Sequence, residues 1–325
     1  MNAAVKLRPP IPLEDQPLVY LSHSTVELYQ TCGHRYKLER VDLWRSMAEG
    51  CALGFGNAVH VACAEFLEST ITRKNVKPVK VFLDEWNRFC NTKQVDFGKV
   101  WTKEKLDETG AALVEAFMNW WPTSGYTVLV DPKGKPVVER KFKIRLPGNI
   151  VYTAIIDLVA RDAKGRVIVL DLKTPAQLSI EGFAELNEQL LGYQVVCDAH
   201  AGELGITQVD GMAFIELHKV TVKDPPKKPG SKQPLQPSVA PVEVAERRPN
   251  ADVASWIKER MAIAQDIRNK RFPKRPGSSF STPCKMCALY NLCRSSSTEG
   301  LYKAQPYRKK QVVMMSNASN ESLNF

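Results

Sequence analysis

The chain has 325 residues, 44% of them hydrophobic, and 45 Lys and Arg against 35 Asp and Glu give a formal charge of +10. That length and apolar content suffice for one large domain or two smaller ones, while no apolar run approaches the roughly 18 residues of a membrane span, so a soluble, intracellular globular protein without membrane attachment is expected. The basic balance suits a polyanionic partner, although a merely basic soluble protein carries the same charge, and eight cysteines without a secretory signal read as thiols or metal ligands rather than disulfides.

Residues 1–20, with prolines at 9, 10, 12 and 17, read as an extended, flexible arm. "STVELYQTCGHRYKLER" then offers a capping box from Ser24 to Glu27 that opens an amphipathic helix carrying Cys32. A second helix is predicted over "LGFGNAVHVACAEFLEST", with His60 near its start. Two more are predicted over about 78–91 and 103–121, where apolar residues recur at three and four positions, and together these helices make a helical region over 21–125. From Tyr126 the period becomes two, and "TVLV", "VVERKFKIRL", "VYTAIIDLVARD" and "RVIVLDLKT" read as strands with turns at "PGN" and "DAKG". "EGFAELNEQLLGYQVVCDAHA" returns to helix and "GMAFIELHKVTV" to strand, which closes a core over 126–222. Residues 223–250 are rich in proline and lysine and read as a linker or mobile loop. A last helix over about 251–271 leads into a cysteine cluster within 251–300, and 301–325 form a basic, then polar tail. The order predicts an α/β (α+β) protein with a mixed β-sheet flanked by helices; no Gly-rich phosphate loop points to a doubly wound nucleotide fold.

Alternation puts Val167, Val169, Asp171 and Lys173 on one face of their strand and Ile168, Leu170 and Leu172 on the other. In the preceding strand Ile155, Asp157 and Val159 share a face, so a hairpin turning at "DAKG" brings Asp157 beside Asp171. Adjacent carboxylates repel and are costly to desolvate unless a cation lies between them. Oxygen ligands favour Mg2+ or Mn2+ over zinc. Lys173 is then placed to orient a water and to offset phosphate charge, while an internal Asp171–Lys173 salt bridge is the plainer alternative.

Asp157, thirteen residues, then Asp171-Leu172-Lys173 resembles the PD-(D/E)xK nuclease superfamily. Glu139 in "VVERKF", His60 in "GFGNAVH", and Gln189 with Tyr193 in "QLLGY" are similar to motifs of its RecB-like branch, which includes the nuclease domains of RecB and AddB and the CRISPR-associated RecB-like exonucleases. Branch members commonly carry a glycine and a basic residue before the first acid, as in "GRID"; this chain has "AIID" instead, which alters no metal ligand. "CKMCALYNLC" places Cys284, Cys287 and Cys293 in C-x-x-C-x(5)-C spacing, one thiolate short of a tetrahedral set, with Cys32 as the candidate fourth. The resemblance implies that these four hold a 4Fe-4S cluster, clasping the N- and C-terminal segments with Pro283 fixing the loop; zinc would also be satisfied by four thiolates. Cys51, Cys63, Cys90 and Cys197 lie in apolar helical stretches and read as packing residues.

The resemblance implies a restriction-endonuclease-like core and a metal-dependent deoxyribonuclease. In it His60, Asp157, Asp171 and the Leu172 carbonyl hold Mg2+ or Mn2+, Glu139 assists, Lys173 positions the attacking water, and Gln189 and Tyr193 place substrate or support Lys173. Arg35, Tyr36, Lys37 and Arg40, with Arg271, Lys274 and Arg275, offer a DNA track of charge and rings, or simply solvated helix ends. Relatives of this type are often exonucleases on DNA ends with a single-strand preference, which suits recombination, repair, or phage or CRISPR DNA processing in a bacterial or phage-infected cell. With no GxxxxGK[ST] loop in the chain, unwinding needs a helicase or recombination partner. A noncatalytic DNA-binding or assembly protein with the same fold and cluster is the alternative function, and a zinc-stapled structural protein a more distant one.

Overall fold

The alternating stretch from 138 to 173 forms the spine of the molecule in the computed structural model, which describes residues 16–224, 233–277 and 282–305. In chain order the elements are β1 (Val19–Leu21), α1 (His23–Thr31), α2 (Gly33–Tyr36), β2 (Trp44–Ser46), β3 (Ala48–Gly50), α3 (Cys51–Thr72), α4 (Pro78–Thr92), β4 (Gln94–Asp96) and α5 (Lys103–Trp120). There follow β5 (Thr127–Val128), β6 (Val138–Leu146), β7 (Ile150–Arg161), β8 (Val167–Lys173), α6 (Phe183–Leu186), α7 (Glu188–Ala199), α8 (Ala201–Leu204) and β9 (Gly211–His218). The last are β10 (Ser238–Val239), β11 (Val244–Glu246), α9 (Asn250–Arg268), α10 (Tyr290–Ser295) and β12 (Leu301–Lys303). Among the described residues no helix is long and apolar enough to cross a membrane.

The main sheet is mixed and has eight strands. β6 pairs antiparallel with β7 from Leu146↔Ile150 to Val138↔Leu158, and β5 continues along the same edge. The opposite edge of β7 takes parallel β1 at 150–152 and antiparallel β8 at 158–161. Between these two partners, residues 153–157 of β7 are left unpaired on that edge among the described residues, which opens a slot ending at Asp157. β8 then pairs parallel with β9, whose further partners are β10 and β11.

Helices cover both faces of the sheet, which is why β8 is apolar at almost every position. Val167 and Val169 pack with Tyr29 of α1, Leu190 and Val196 of α7, and Trp256 and Ile257 of α9. Ile168, Leu170 and Leu172 pack with Phe55 of α3, Phe82 and Trp86 of α4, and Leu113 and Phe117 of α5. The expected alternation of β8 therefore holds, and so does the mixed sheet flanked by helices.

β7 departs from the expected pattern. Ala154, Ile156 and Val159 all belong to the α7 side, Leu158 belongs to the α3 side, and Ile155 is exposed. Ile155 and Val159 thus do not share a face: the strand changes face at Asp157. β6 changes face opposite it, with Val138 on the α3 side and Phe142, Ile144 and Leu146 on the α7 side. At the crossover Glu139 takes φ of +46°, left-handed backbone that costs a non-glycine residue on the order of 1–3 kcal/mol.

Other local expectations shift as well. α1 is capped by Ser22 with Thr25 as its capping-box partner, not by Ser24 with Glu27, because Ser22 has the extended φ of −147° that a cap needs. Val19 and Tyr20, expected within the arm, open the sheet through β1, while residues 1–15 lie outside the described residues. The expected linker 223–250 contains β10 and β11, since the ladder groups left open on β9 pair with its backbone. The tail begins as β12, antiparallel to β2, and "YRKKQ" lies outside the described residues.

α4 and α5 approach so closely that a Cβ on Gly110 would fall 1.9 Å from the Phe82 ring, whereas one on Gly202 would meet nothing within 4 Å. Gly110→Ala should lower the melting temperature, because overpacking of about 1–3 kcal/mol exceeds the roughly 1 kcal/mol gain in helix propensity. Gly202→Ala should raise it slightly. Thermal melts that move both variants in the same direction would contradict this packing.

Candidate active site

Four elements converge where β7 and β8 part. α3 supplies His60, β6 Glu139, β7 Asp157, and β8 Asp171 with Lys173. The His60 Nδ1 atom lies 3.4 Å from Asp157 Oδ2 and 3.7 Å from Glu139 Oε1. One ligand atom from each of these three residues falls within 4.8 Å of the others. Asp157 Oδ2 also accepts a hydrogen bond from the Leu172 amide at 2.9 Å, which ties the carboxylate to the neighbouring strand.

Asp171 is only 1% exposed and is held from the α7 side. Its Oδ1 accepts from Gln189 Nε2 at 2.9 Å and from the Tyr193 hydroxyl at 3.0 Å. Gln189 Oε1 in turn accepts from Lys173 Nζ at 3.0 Å. These two α7 residues reach one carboxylate because they lie one turn apart on the same helical face. The first turn of α7 is fixed by Asn187, whose side-chain oxygen accepts from the amides of Gln189 and Leu190 at 2.9 and 3.2 Å. Lys173 Nζ stands 2.6 Å from Asp171 Oδ2, so the internal salt bridge weighed above does form. No hydrogen bond reaches Asp171 Oδ2 among the described residues, so the ammonium meets it as an ion pair alone.

The electrostatics are those of a site short of positive charge. Burial first, and then the Asp171 charge, push the Asp157 carboxyl up to about 7. For His60 burial works to lower the pKa, but the hydrogen bond to Glu139 and the charges of Asp157 and Asp171 outweigh it and raise the pKa. Burial and Asp171 raise that of Tyr193, which keeps its proton and donates it. Carboxylate oxygens with one imidazole form a donor set that a divalent ion satisfies, and the raised Asp157 is the group such an ion would return to its charged state. The closest set contains Glu139, expected only to assist. Asp171, expected as a ligand, stands beside it with its carboxylate drawn toward Lys173 and α7.

Clefts flank the site on both sides. One of about 720 Å³ is lined by His60, Glu139, Asn57 and Arg88 among others. The other, about 590 Å³, is lined by Lys173, Gln189, His23, Phe183 and Phe214 among others. Sequence reasoning passed over His23, a first-turn helix residue without a motif, and Asn187, whose capping role depends on where α7 begins.

The proposed track residues are mostly occupied within the protein. Arg35 pairs with Glu39 at 2.5 Å, Lys37 with Asp42 at 2.5 Å and Arg271 with Asp266 at 3.5 Å. Lys274 and Arg275 donate to the carbonyls of Cys293 and Gln30. Tyr36, expected to face a base, is buried at 7% exposure and stacks on Phe272, because α2 turns its ring into the α7-side core.

Cys32, Cys284, Cys287 and Cys293 are all half-buried. One cleft is lined by Arg35 and Glu39 together with Ala288 and Leu289, so the segment after Cys32 and the Cys287 loop are neighbours, with Arg35 in electrostatic reach of Cys32 and Cys287. The Pro283 turn is capped by Thr282, and the Cys287 amide bonds to the Cys284 carbonyl. Among the described residues no three of these sulfurs lie within 4.8 Å of one another. Thiolates around a tetrahedral zinc, at about 2.3 Å from the metal, stand closer than that. Cys51, Cys63 and Cys197 are buried as expected, and Cys90, half-buried near the end of α4, packs against the core that holds Cys51 and Cys63.

The sequence model of the PD-(D/E)XK nuclease superfamily matches residues 20–294. Among solved structures, one described as "Crystal structure of SSO0001" is similar at 13% identity and a TM-score of 0.31, over 85% of this chain and 98% of that one. No curated protein matches the sequence.

The raised Asp157 and His60 values share one sign. The folded protein retains protons that the unfolded chain, at about 3.9 and 6.5, has already released. Their contribution is complete below the unfolded values and is lost as pH rises through about 7, the value to which Asp157 is pushed. In EDTA the melting temperature should therefore fall between pH 6 and pH 8.5, and less so in Asp157→Asn. Mn2+ should raise it more at pH 8 than at pH 6, since the ion replaces the protons. A Mn2+ shift that is independent of pH and survives in Asp157→Asn would refute the assignment.

Proposed function

We propose that this chain, which belongs to the PD-(D/E)XK nuclease superfamily, is a divalent-metal-dependent deoxyribonuclease of the RecB-like type, an exonuclease on DNA ends that prefers single strands. The observation that carries the reading is the convergence of Asp157, Asp171 and Lys173 in one slot with His60 and Glu139 against it.

His60, Glu139 and Asp157, with Asp171 and the Leu172 carbonyl beside them, are the residues that would hold Mg2+ or Mn2+. When bound, such an ion polarises the scissile phosphate and stabilises the leaving oxygen. Lys173 is the chain's own cation at the reacting phosphate. Its ammonium, held by Gln189 Oε1 and Asp171, orients the attacking water and offsets charge that develops on the phosphoryl oxygens. Gln189 and the protonated Tyr193 fix the Asp171 carboxylate, so that Lys173 meets one defined rotamer. No side chain is asked to form a covalent intermediate.

The four cysteines are assigned to a 4Fe-4S cluster that staples residue 32 to the 284–293 loop. The neighbourhood of Cys32 and Cys287 around Arg35 supports a shared site. Recombination, repair, or phage or CRISPR DNA processing would supply its substrate, with a helicase or recombination partner exposing the strand.

End-labelled single- and double-stranded DNA with Mg2+, Mn2+ or EDTA is the direct test. We expect metal-dependent shortening from an end, faster on single strands, and a loss of about 10²–10⁴-fold in Lys173→Ala or Asp171→Asn with DNA binding retained. Wild-type rates in either variant would remove those residues from the mechanism, and a wild type that binds DNA without cutting under any metal would leave a noncatalytic binding protein. Anaerobically purified protein should contain close to four irons and four labile sulfides per chain, lost together in Cys284→Ala. Stoichiometric zinc in place of iron would overturn the cluster.

A further inference from the structure

β6 has two differently treated sets of cations. Arg140 is paired with Asp131 and Glu203, at 2.8 Å each. Lys141, Lys143 and Arg145 alternate with buried Phe142, Ile144 and Leu146, so they stand on the opposite, exposed face. None of the three has an acidic partner among the described residues, and the one side-chain bond made by Arg145 goes to the uncharged Asn149. The cross-strand neighbours on that face, Ile155, Thr153 and Val151 of β7, contribute no acid. The row continues that of Glu139, two residues before Lys141, which faces His60. A strand rise of about 3.4 Å per residue sets its successive members roughly 7 Å apart, the reach of one nucleotide in an extended strand.

We propose that Lys141, Lys143 and Arg145 form a phosphate track which leads an extended nucleic-acid strand to the His60, Glu139 and Asp157 site. The inference rests on the nuclease reading above and adds the path by which substrate reaches it. Charge complementarity and continuity with the site identify the occupant. The cations near the cysteines, expected to serve this purpose, are largely paired within the protein, whereas these three are open to solvent. The face switch at Glu139 gives the row its position. It turns the acid toward His60 while leaving every second residue after it on the same exposed face. Contacts of this kind neutralise phosphates without reading bases, so the track serves any sequence.

The test is the salt dependence of binding of a fluorescein-labelled 20-nucleotide oligo-dT to the full-length protein in EDTA, measured by anisotropy. Each phosphate contact on a single strand contributes about 0.7 to the slope of log K against log salt. The triple variant Lys141→Gln, Lys143→Gln, Arg145→Gln should thus lose about 2 in slope, roughly a hundredfold in affinity at 0.1 M salt. Its melting temperature and Mn2+ shift should stay at the wild-type values. The charge-matched variant Lys74→Gln, Lys80→Gln, Lys105→Gln, altered at exposed positions elsewhere, should keep the wild-type slope. Cleavage by the wild type with an unchanged slope in the β6 variant, or an equal loss in both variants, would overturn the track and leave the nuclease reading standing. Loss of slope in the β6 variant alone from a wild type that cuts nothing would retain the track and sink the nuclease. A wild type that neither binds nor cuts would overturn both.

Discussion

Two carboxylates forced together under cover are the constraint on which the molecule is arranged. Asp157 and Asp171 are 8% and 1% exposed, and the Asp171 charge raises the cost of ionising Asp157. Left alone, such a pair favours separation or protonation. Here it is kept in place by donors from three directions: the Leu172 amide on Asp157, the Gln189 and Tyr193 side chains on Asp171, and the Lys173 ammonium beside it. The charge that remains unbalanced is what a divalent ion would offset.

The two helical layers divide the labour of holding that slot. On one face α3, packed by Phe55 against Phe82 and Trp86, presents His60 to Asp157. On the other, α7 presents Gln189 and Tyr193 to Asp171, and its start is anchored by Arg260 of α9. That arginine is fully buried, bonded to Glu188 at 3.0 Å and stacked over Trp256. A gap in the sheet lets the two sets meet. Among the described residues β1 and β8 leave the middle of β7 unpaired on the edge away from β6, and at its end both β6 and β7 change face, so groups from opposite layers reach one point.

Residues 33–46 meet Pro273 and residues 301–303 near the cysteines. β12 pairs with β2, and the His34 amide bonds to the Pro273 carbonyl; there the missing Cβ of Gly33 leaves room for the Pro273 ring, which a side chain would meet at 2.7 Å. The segment that carries Cys32 is therefore packed on the segment leading to Cys284 by ordinary contacts, quite apart from any cluster. A cluster at that point would lock an arrangement the backbone already favours, and would do so across nearly the whole chain.

Periodicity was enough to find much of the secondary structure from residues alone. The helices at 78–91 and 103–121, the hairpin turn at "DAKG", the separation of Val167 and Val169 from Ile168 and Leu170, and the pairing of Gln189 with Tyr193 all follow from local spacing, because side-chain direction repeats with the backbone. What spacing could not contain is any break in its own rule. The face switch at Glu139 and Asp157 depends on where β1 and β8 end along β7, a matter of partners far away in sequence. The same holds for the short strands within 223–250, recruited by open hydrogen-bonding groups on β9, and for Tyr36, a plausible base-stacking ring until α2 turns it inward. Charges were the least legible of all. Sequence counts Arg35 and Lys143 alike, and only the fold decides that the first meets Glu39 while the second faces solvent, because an ion pair needs a partner within about 4 Å. The chemistry of the residues was thus written in their order, and their availability for that chemistry was settled by the tertiary structure.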